Sequence, residues 1–170
     1  MIKQNIQDAF NQQINKEFYS AYLYLSMAAY FNSINLTGFE NWMKVQVQEE
    51  MMHAMKFYTF ICQRTGKVNL DALAKPPVTW ASPLEIFEQA YKHEQFVTES
   101  INNLVTLARK EQDYASEAFL HWFVTEQVEE EANTSNLAEK LKLIKNSSDA
   151  LLMLDRELAA RVFQPPATPA

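Results

Sequence analysis

The stretch Gln48-Glu49-Glu50-Met51-Met52-His53-Ala54-Met55, with Phe57, Phe60 and Ile61 close behind, sets two acids and a histidine among apolar residues. At a spacing of three to four residues, one stripe through it reads Phe39, Met43, Gln46, Glu50, His53, Phe57, Phe60. That period is helical, and its apolar side is the side a helix turns toward a core. A carboxylate and an imidazole therefore enter a place where unpaired charge is costly.

The same anomaly recurs along the chain. One stripe runs Phe10, Ile14, Glu17, Ala21, Tyr24, Ala28, Phe31, and another Leu84, Phe87, Tyr91, Glu94, Thr98, Ile101, Val105. A fourth runs Phe119, Phe123, Gln127, Glu130, Thr134, Leu137, Leu141. Each holds an acid near its midpoint, and no lysine or arginine stands on any of them.

The remaining sequence makes the fold all-α. Only Gly38 and Gly66 are glycine, and the prolines fall at 76, 77, 83, 165, 166 and 169. The stretches 1–37, 39–65 and 84–164 thus lack both breakers, which suits helices better than strands and their turns. Five helices are predicted: Asn5–Phe31; Thr37 to a stop at Gly66; Ser82 onward; Asp113 to about Lys145; and Asp149–Val162. Thr37-Gly38-Phe39-Glu40 and Ser82-Pro83-Leu84-Glu85 both read as capping boxes, the second with proline at the first helical position. Residues 67–81, "KVNLDALAKPPVTWA", have no helical period. About 15 extended residues reach roughly 50 Å, more than the roughly 40 Å length of a 27-residue helix. They suffice to cross the bundle and make helices two and three parallel. The expected architecture is a four-helix bundle with one long crossover and a short fifth helix, in a single domain over 1–164 with a proline-rich tail at 165–170.

Midpoints of packed helices meet at one level, so Glu17, Glu50, His53, Glu94, Gln127 and Glu130 are expected together in the core. Four unpaired carboxylates would repel strongly there. Bound cations remove the problem, and carboxylates plus one imidazole suit two divalent metals such as iron or manganese. The spacing is also duplicated. Glu17 precedes Glu50 by 33 residues and His53 by 36, and Glu94 precedes Gln127 by 33 and Glu130 by 36. An offset of 77 relates the halves and carries Glu49 onto Glu126, which points to a doubled helical hairpin.

Function classes are bounded by composition. A net charge of −6 leaves no electrostatic footprint for nucleic acid. No window approaches a membrane span, and "MIKQNIQDAF" lacks the apolar core of a signal peptide. The lone Cys62 excludes an internal disulfide and is read as a small buried hydrophobe. Cytoplasmic placement is expected. His93 and His121, off the stripes, are read as surface or interface residues, and Met51, Met52 and Met55 as packing. Tyr24 admits two readings, a core tyrosine bonded to a carboxylate or a redox-active neighbour of the metals. A metal-free helical scaffold is the alternative from another class.

Glu17, Tyr24, "QEEMMH" at 48–53, "YKHEQ" at 91–95 and "EQVEEE" at 126–131 resemble the bacterial non-haem ferritins over nearly the whole chain. The resemblance implies a hollow homo-oligomer of 24 subunits that oxidises Fe(II) with dioxygen or hydrogen peroxide and stores a ferric oxide-hydroxide mineral. It assigns one iron to Glu17, Glu50 and His53, and a second to Glu94 and Glu130, with Glu50 bridging and Gln127 nearby. It implies a third iron site at Glu49, Glu126, Glu129 and Glu130, with Tyr24 beside the pair. The second helix pair carries Gln127-x-x-Glu130 instead of Glu-x-x-His, so one iron lacks a histidine, and no haem is expected. The segment "SSDALLMLD" lacks the glycine common at that turn in the family.

Overall fold

A computed structural model describes residues 1–145 and 147–165; the last residues of the proline-rich tail, 166–170, lie outside it. Its helices are α1 (Gln4–Ser33), α2 (Thr37–Gln63), α3 (Pro83–Lys110), α4 (Tyr114–Ile144) and α5 (Ser148–Leu158). No described helix is long and apolar enough to cross a membrane.

Side-chain partners fix the directions. Along α1 and α3, Lys16 meets Ser100, Ser20 meets His93, and Phe31 meets Phe87, so the two run antiparallel. Gln46 meets Glu130 and Phe60 meets Phe119, so α2 and α4 also run antiparallel. With α1 and α2 folded as a hairpin, α2 and α3 are parallel, as the long crossover requires. That crossover is strapped to α1 by hydrogen bonds. Gln7 accepts from the Lys67 amide (2.7 Å), Asn11 binds Lys67 and Asn69, and Asn15 donates to Asp71 and Ala72. Ser26 then donates to Pro77 (2.5 Å), and Trp80 packs edge-on against Tyr30. A segment without helical period is held because α1 supplies amide and hydroxyl groups to its backbone.

Helix ends follow two rules, one local and one tertiary. At α3, Ser82 Oγ accepts from the Glu85 amide (3.2 Å) behind a proline, as its sequence predicts. Asp113 likewise caps α4 through the Ser116 amide (3.1 Å). The capping box expected at Thr37 does not form. Thr37 lies inside the helix, and the free amides of Gly38 and Phe39 donate to Asp155 Oδ1 of α5 (2.8 and 3.0 Å). Glu40 binds Asn32 and Lys44 instead. A Cβ at Gly38 would stand 1.6 Å from the Asp155 carbonyl oxygen, so glycine is what lets α5 sit on this end. The first three helices end with non-glycine residues at positive φ: Asn35 (58°), Thr65 (56°) and Gln112 (54°). In each case the next amide reaches back five residues, to Phe31, Ile61 and Ala108, and satisfies a terminal carbonyl.

Helix α5 stops at Leu158, short of the predicted Val162, because Asn41 Nδ2 captures the carbonyls of Leu158, Ala159 and Arg161. Leu154 and Leu158 are buried within the subunit, so only part of its apolar surface, Leu152 and Met153, faces outward. Cys62 is exposed, contrary to the buried position expected of it.

The apolar core is split in two. One cluster gathers Met27, Phe31, Phe39, Trp42, Phe87, Leu137 and Leu154; the other gathers Phe10, Ile14, Phe57, Ile101, Leu120 and Phe123. Fully burying each large side chain is worth about 1.5–3 kcal/mol. That stabilisation brackets a polar layer at mid-height.

Candidate metal centre

Every stripe acid reaches this layer. Glu17, Glu50, His53, Glu94, Gln127 and Glu130 are all at most 3% exposed, and Tyr24 is fully buried. A helix places residues three apart on nearly the same face, so α2 sends in Glu50 with His53 and α4 sends in Gln127 with Glu130. The other two helices each contribute one acid, Glu17 from α1 and Glu94 from α3.

Ligand-type atoms of Glu17, Glu50 and His53 all lie within 4.8 Å of one another, a spacing one cation can span. His53 Nδ1 is 3.4 Å from Glu50 Oε2. A second such group comprises His53, Glu126 and Glu130. The imidazole thus stands between two sets of carboxylates. Glu94 is held differently: the Tyr24 hydroxyl donates to its Oε1, and Gln127 Nε2 donates to its Oε2 (3.2 Å).

Neutral amides hold the other acids. Gln13 Nε2 donates to Glu17 Oε1 and Gln46 Nε2 to Glu130 Oε2, both at 2.9 Å. Glu17 Oε2 and His53 Nε2 are buried with no hydrogen-bond partner among the described residues. Buried polar atoms seldom stay so, and each asks for an explanation. Among those residues no lysine or arginine forms an ion pair with the four core acids; His53 alone pairs with Glu50. A donor set of carboxylates and one imidazole, partly unsatisfied and without counter-charge, fits a divalent cation.

The proton affinities record the strain. Burial pushes Glu17 up and Glu50 well up, with the nearby His53 charge pulling the other way. Burial raises Glu94 to about 7, and burial with the Glu94 charge raises Glu130 to about 8. For His53, burial is the largest single influence and favours the neutral ring. The Glu50 and Glu17 charges and the Glu126 and Glu50 carboxylate contacts together outweigh it and hold the ring well above its ordinary value. The metal-free cluster therefore retains protons near neutrality, and a cation that takes the site displaces them. Burial and the Glu94 charge also keep the Tyr24 phenol protonated, so it is a donor to Glu94 in the resting site.

The acids flanking the core are arranged less tightly. Glu49, Glu126 and Glu129 line a cavity of about 370 Å³ with Trp122, Asn133 and Arg161. Glu129 is exposed, and Glu49 Oε2 lies 2.7 Å from Arg161 Nη2. Of the four acids expected at the third site, only Glu126 and Glu130 share a ligand-spaced group, and they share it with His53.

Sequence reasoning missed three contributors. Gln13 lies four residues before Glu17, a spacing that was available to find it. His93 is half-buried, not on the surface: it hydrogen-bonds Ser20 (2.7 Å) and packs on Tyr24, and burial lowers it to about 4. Arg161 follows α5 and carried no local signal.

The Ferritin-like domain family matches residues 7–144. A bacterial non-heme ferritin of Bacteroides fragilis is 41% identical over 162 residues, covering 95% of this chain and all of that protein. One from Staphylococcus aureus is 37% identical, over 96% of this chain and 98% of its own. Among solved structures, an open-pore ferritin of the archaeon Archaeoglobus fulgidus is 54% identical with a TM-score of 0.94, over 95% of this chain and all of that one. A closed form of the Archaeoglobus fulgidus ferritin, engineered by site-directed mutagenesis, is likewise 54% identical, with a TM-score of 0.95 over 96% of this chain and all of its own.

Proposed function

Because the chain belongs to the ferritin-like family, we propose that it is an iron-storage subunit with ferroxidase activity. The observation that carries this is the layer of four buried carboxylates and His53, free of lysine and arginine partners among the described residues, between two apolar clusters. Iron is its substrate and cargo. One Fe(II) binds Glu17, Glu50 and His53; a second binds Glu94 and Glu130, with Glu50 between them and Gln127 beside them. The pair gives up two electrons, which with two protons reduce dioxygen to hydrogen peroxide, or hydrogen peroxide to two waters. The carboxylates neutralise the charge of the ions and fix their separation, and the apolar clusters exclude bulk water. Tyr24 orients Glu94 through its hydroxyl, and it stands close enough to the pair for a redox part as well.

Fe(III) then passes to a third site formed by Glu49, Glu126, Glu129 and Glu130, and onward to a mineral inside a hollow cytoplasmic shell of 24 copies. The likeness to ferritins over whole chains supports the assembly. The exposed Leu152 and Met153 of α5, together with Val128 and Leu143 of α4, are apolar surface suited to contacts between copies.

The test is the initial rate of Fe(II) oxidation in Glu50→Ala and His53→Ala. Loss of a direct ligand is expected to exceed the roughly 10–100-fold cost of losing an outer partner, while helicity is kept. Unchanged initial rates in both variants would remove the paired site from the argument.

A further inference from the structure

The cavity beside the core holds a cation of the protein's own. Beyond α5 the chain turns back over α2, where Asn41 Nδ2 binds the carbonyls of Leu158, Ala159 and Arg161 (3.3, 3.3 and 2.9 Å). This tether delivers the Arg161 side chain to a fixed place. Its guanidinium lies 4.5 Å from the Trp42 ring centroid and donates to the Trp42 carbonyl (3.3 Å) and to Glu49 Oε2 (2.7 Å). Only about a fifth of either charged side chain, Arg161 or Glu49, is exposed. Lys56, stacked 3.9 Å from the Trp122 ring centroid, makes no ion pair among the described residues, so Arg161 is the cation that engages these acids.

Two observations make this more than a surface ion pair. The stacked, doubly hydrogen-bonded guanidinium is preorganised, unlike a flexible lysine. Behind the cavity wall, His53 Nε2 is buried, has no hydrogen-bond partner among the described residues, and stands 3.8 Å from Oε1 of Glu126, which lines the cavity. Of the acids lining the cavity, Glu126 thus faces an unsatisfied imidazole behind it, and Glu49 is already neutralised by Arg161.

We propose that Arg161 is the resident counter-ion of the third iron site, and that a metal ion entering this site must take Glu49 from it. This rests on the third-site reading above. Four carboxylates without an internal cation would bind Fe(III) tightly and retain it. A fixed positive charge beside one of them weakens cation binding and returns to Glu49 when the ion leaves. The site is therefore built for transit, and the segment after α5 sets its affinity.

The test uses Zn(II) alone as a redox-inert probe, titrated calorimetrically into the intact metal-free shell. Wild type should bind in three classes per subunit, the weakest assigned to this cavity by its further weakening in Glu129→Gln. Arg161→Gln should tighten that class about tenfold and leave the two tighter classes unchanged, and Arg161→Lys, which keeps the charge but loses the fixed geometry, should tighten it by less than Arg161→Gln. Asn41→Ala keeps the arginine but frees its tether, and it should tighten the same class, so the proposal can be read from either variant if one fails to assemble. A weakest class that responds to Glu129→Gln but not to Arg161→Gln or Asn41→Ala overturns the role of Arg161 alone. Absence of a third class in wild type overturns the third-site reading and this proposal with it.

Discussion

Replacing Glu94 with glutamine should stabilise the metal-free protein at neutral and alkaline pH but not at pH 5. Glu94 is 1% exposed, and burial raises it from an ordinary 4.5 to about 7. At 1.36 kcal/mol per pH unit, ionising it in the folded chain costs about 3 kcal/mol relative to the unfolded chain. The sign follows from the direction. A carboxyl whose folded value is raised has its full stability below about 4.5 and loses it as pH rises through about 7. Glutamine cannot ionise and escapes that loss. Its amide can still accept from Tyr24, but it turns a nitrogen toward Gln127 Nε2, at a cost of about 1 kcal/mol. The Glu94 charge also raises Glu130, so removing it eases the neighbour in the same direction.

The net gain is about 2 kcal/mol at pH 8.5 and close to zero at pH 5. With a guanidinium slope of about 5 kcal/mol per molar, the midpoint should move up by about 0.4 M. The assay is guanidinium unfolding of chelator-treated protein followed by far-ultraviolet circular dichroism, at fixed subunit concentration because assembly contributes to stability. Saturating Zn(II) should reverse the order, since the wild type gains more from the metal. A midpoint shift equal at both pH values would refute the reasoning, as would a variant no more stable at pH 8.5.

The other expectations concern α5 and the flanking acids. Gly38→Ala would force a Cβ to within 1.6 Å of a backbone oxygen. It should cost about 1–3 kcal/mol or lift α5 from the bundle, measurable by thermal unfolding and proteolysis beyond Lys145. Asp155→Ala leaves the amides of Gly38 and Phe39 without their acceptor and should lower stability by about 0.5–2 kcal/mol in the same unfolding assay. Truncation after Ser147 removes that cap together with the outward Leu152 and Met153, and should open or weaken the shell in size-exclusion while the four long helices persist. Glu129→Ala should spare oxidation of the first two irons per subunit and slow later additions, which stopped-flow traces at two and at many irons would separate.

What the sequence alone determined lies within single helices. Glu17, Glu50, His53, Glu94, Gln127 and Glu130 were legible because helical period fixes the face on which a residue lies, and an acid on an apolar stripe is a local contradiction. Ser82 was legible because its partner amide at Glu85 is three residues away. The crossover was legible from its length, which suffices to span the bundle. Period also has limited angular resolution. Phe60, Tyr91, Thr98 and Phe119 were placed on core stripes yet lie at its margin, while Ile86, Ala90 and Val97 fill it.

Tertiary structure decided the contacts between distant segments. Thr37 had the pattern of a cap, but Asp155 of α5 supplies the oxygen, 117 residues from Gly38. Glu49 reads as one acid among several, but its partner Arg161 is 112 residues away, past the point where α5 ends short of its predicted length. Cys62 is exposed where a buried position was expected, and His93 is half-buried against Ser20 and Tyr24, because neither lies on a stripe that would orient it. A residue's own turn sets its helical face by short-range backbone geometry. The charge or donor it meets depends on how α5 docks on α2, and that docking is fixed by the shape at Gly38 and the tether at Asn41, not by any nearby period.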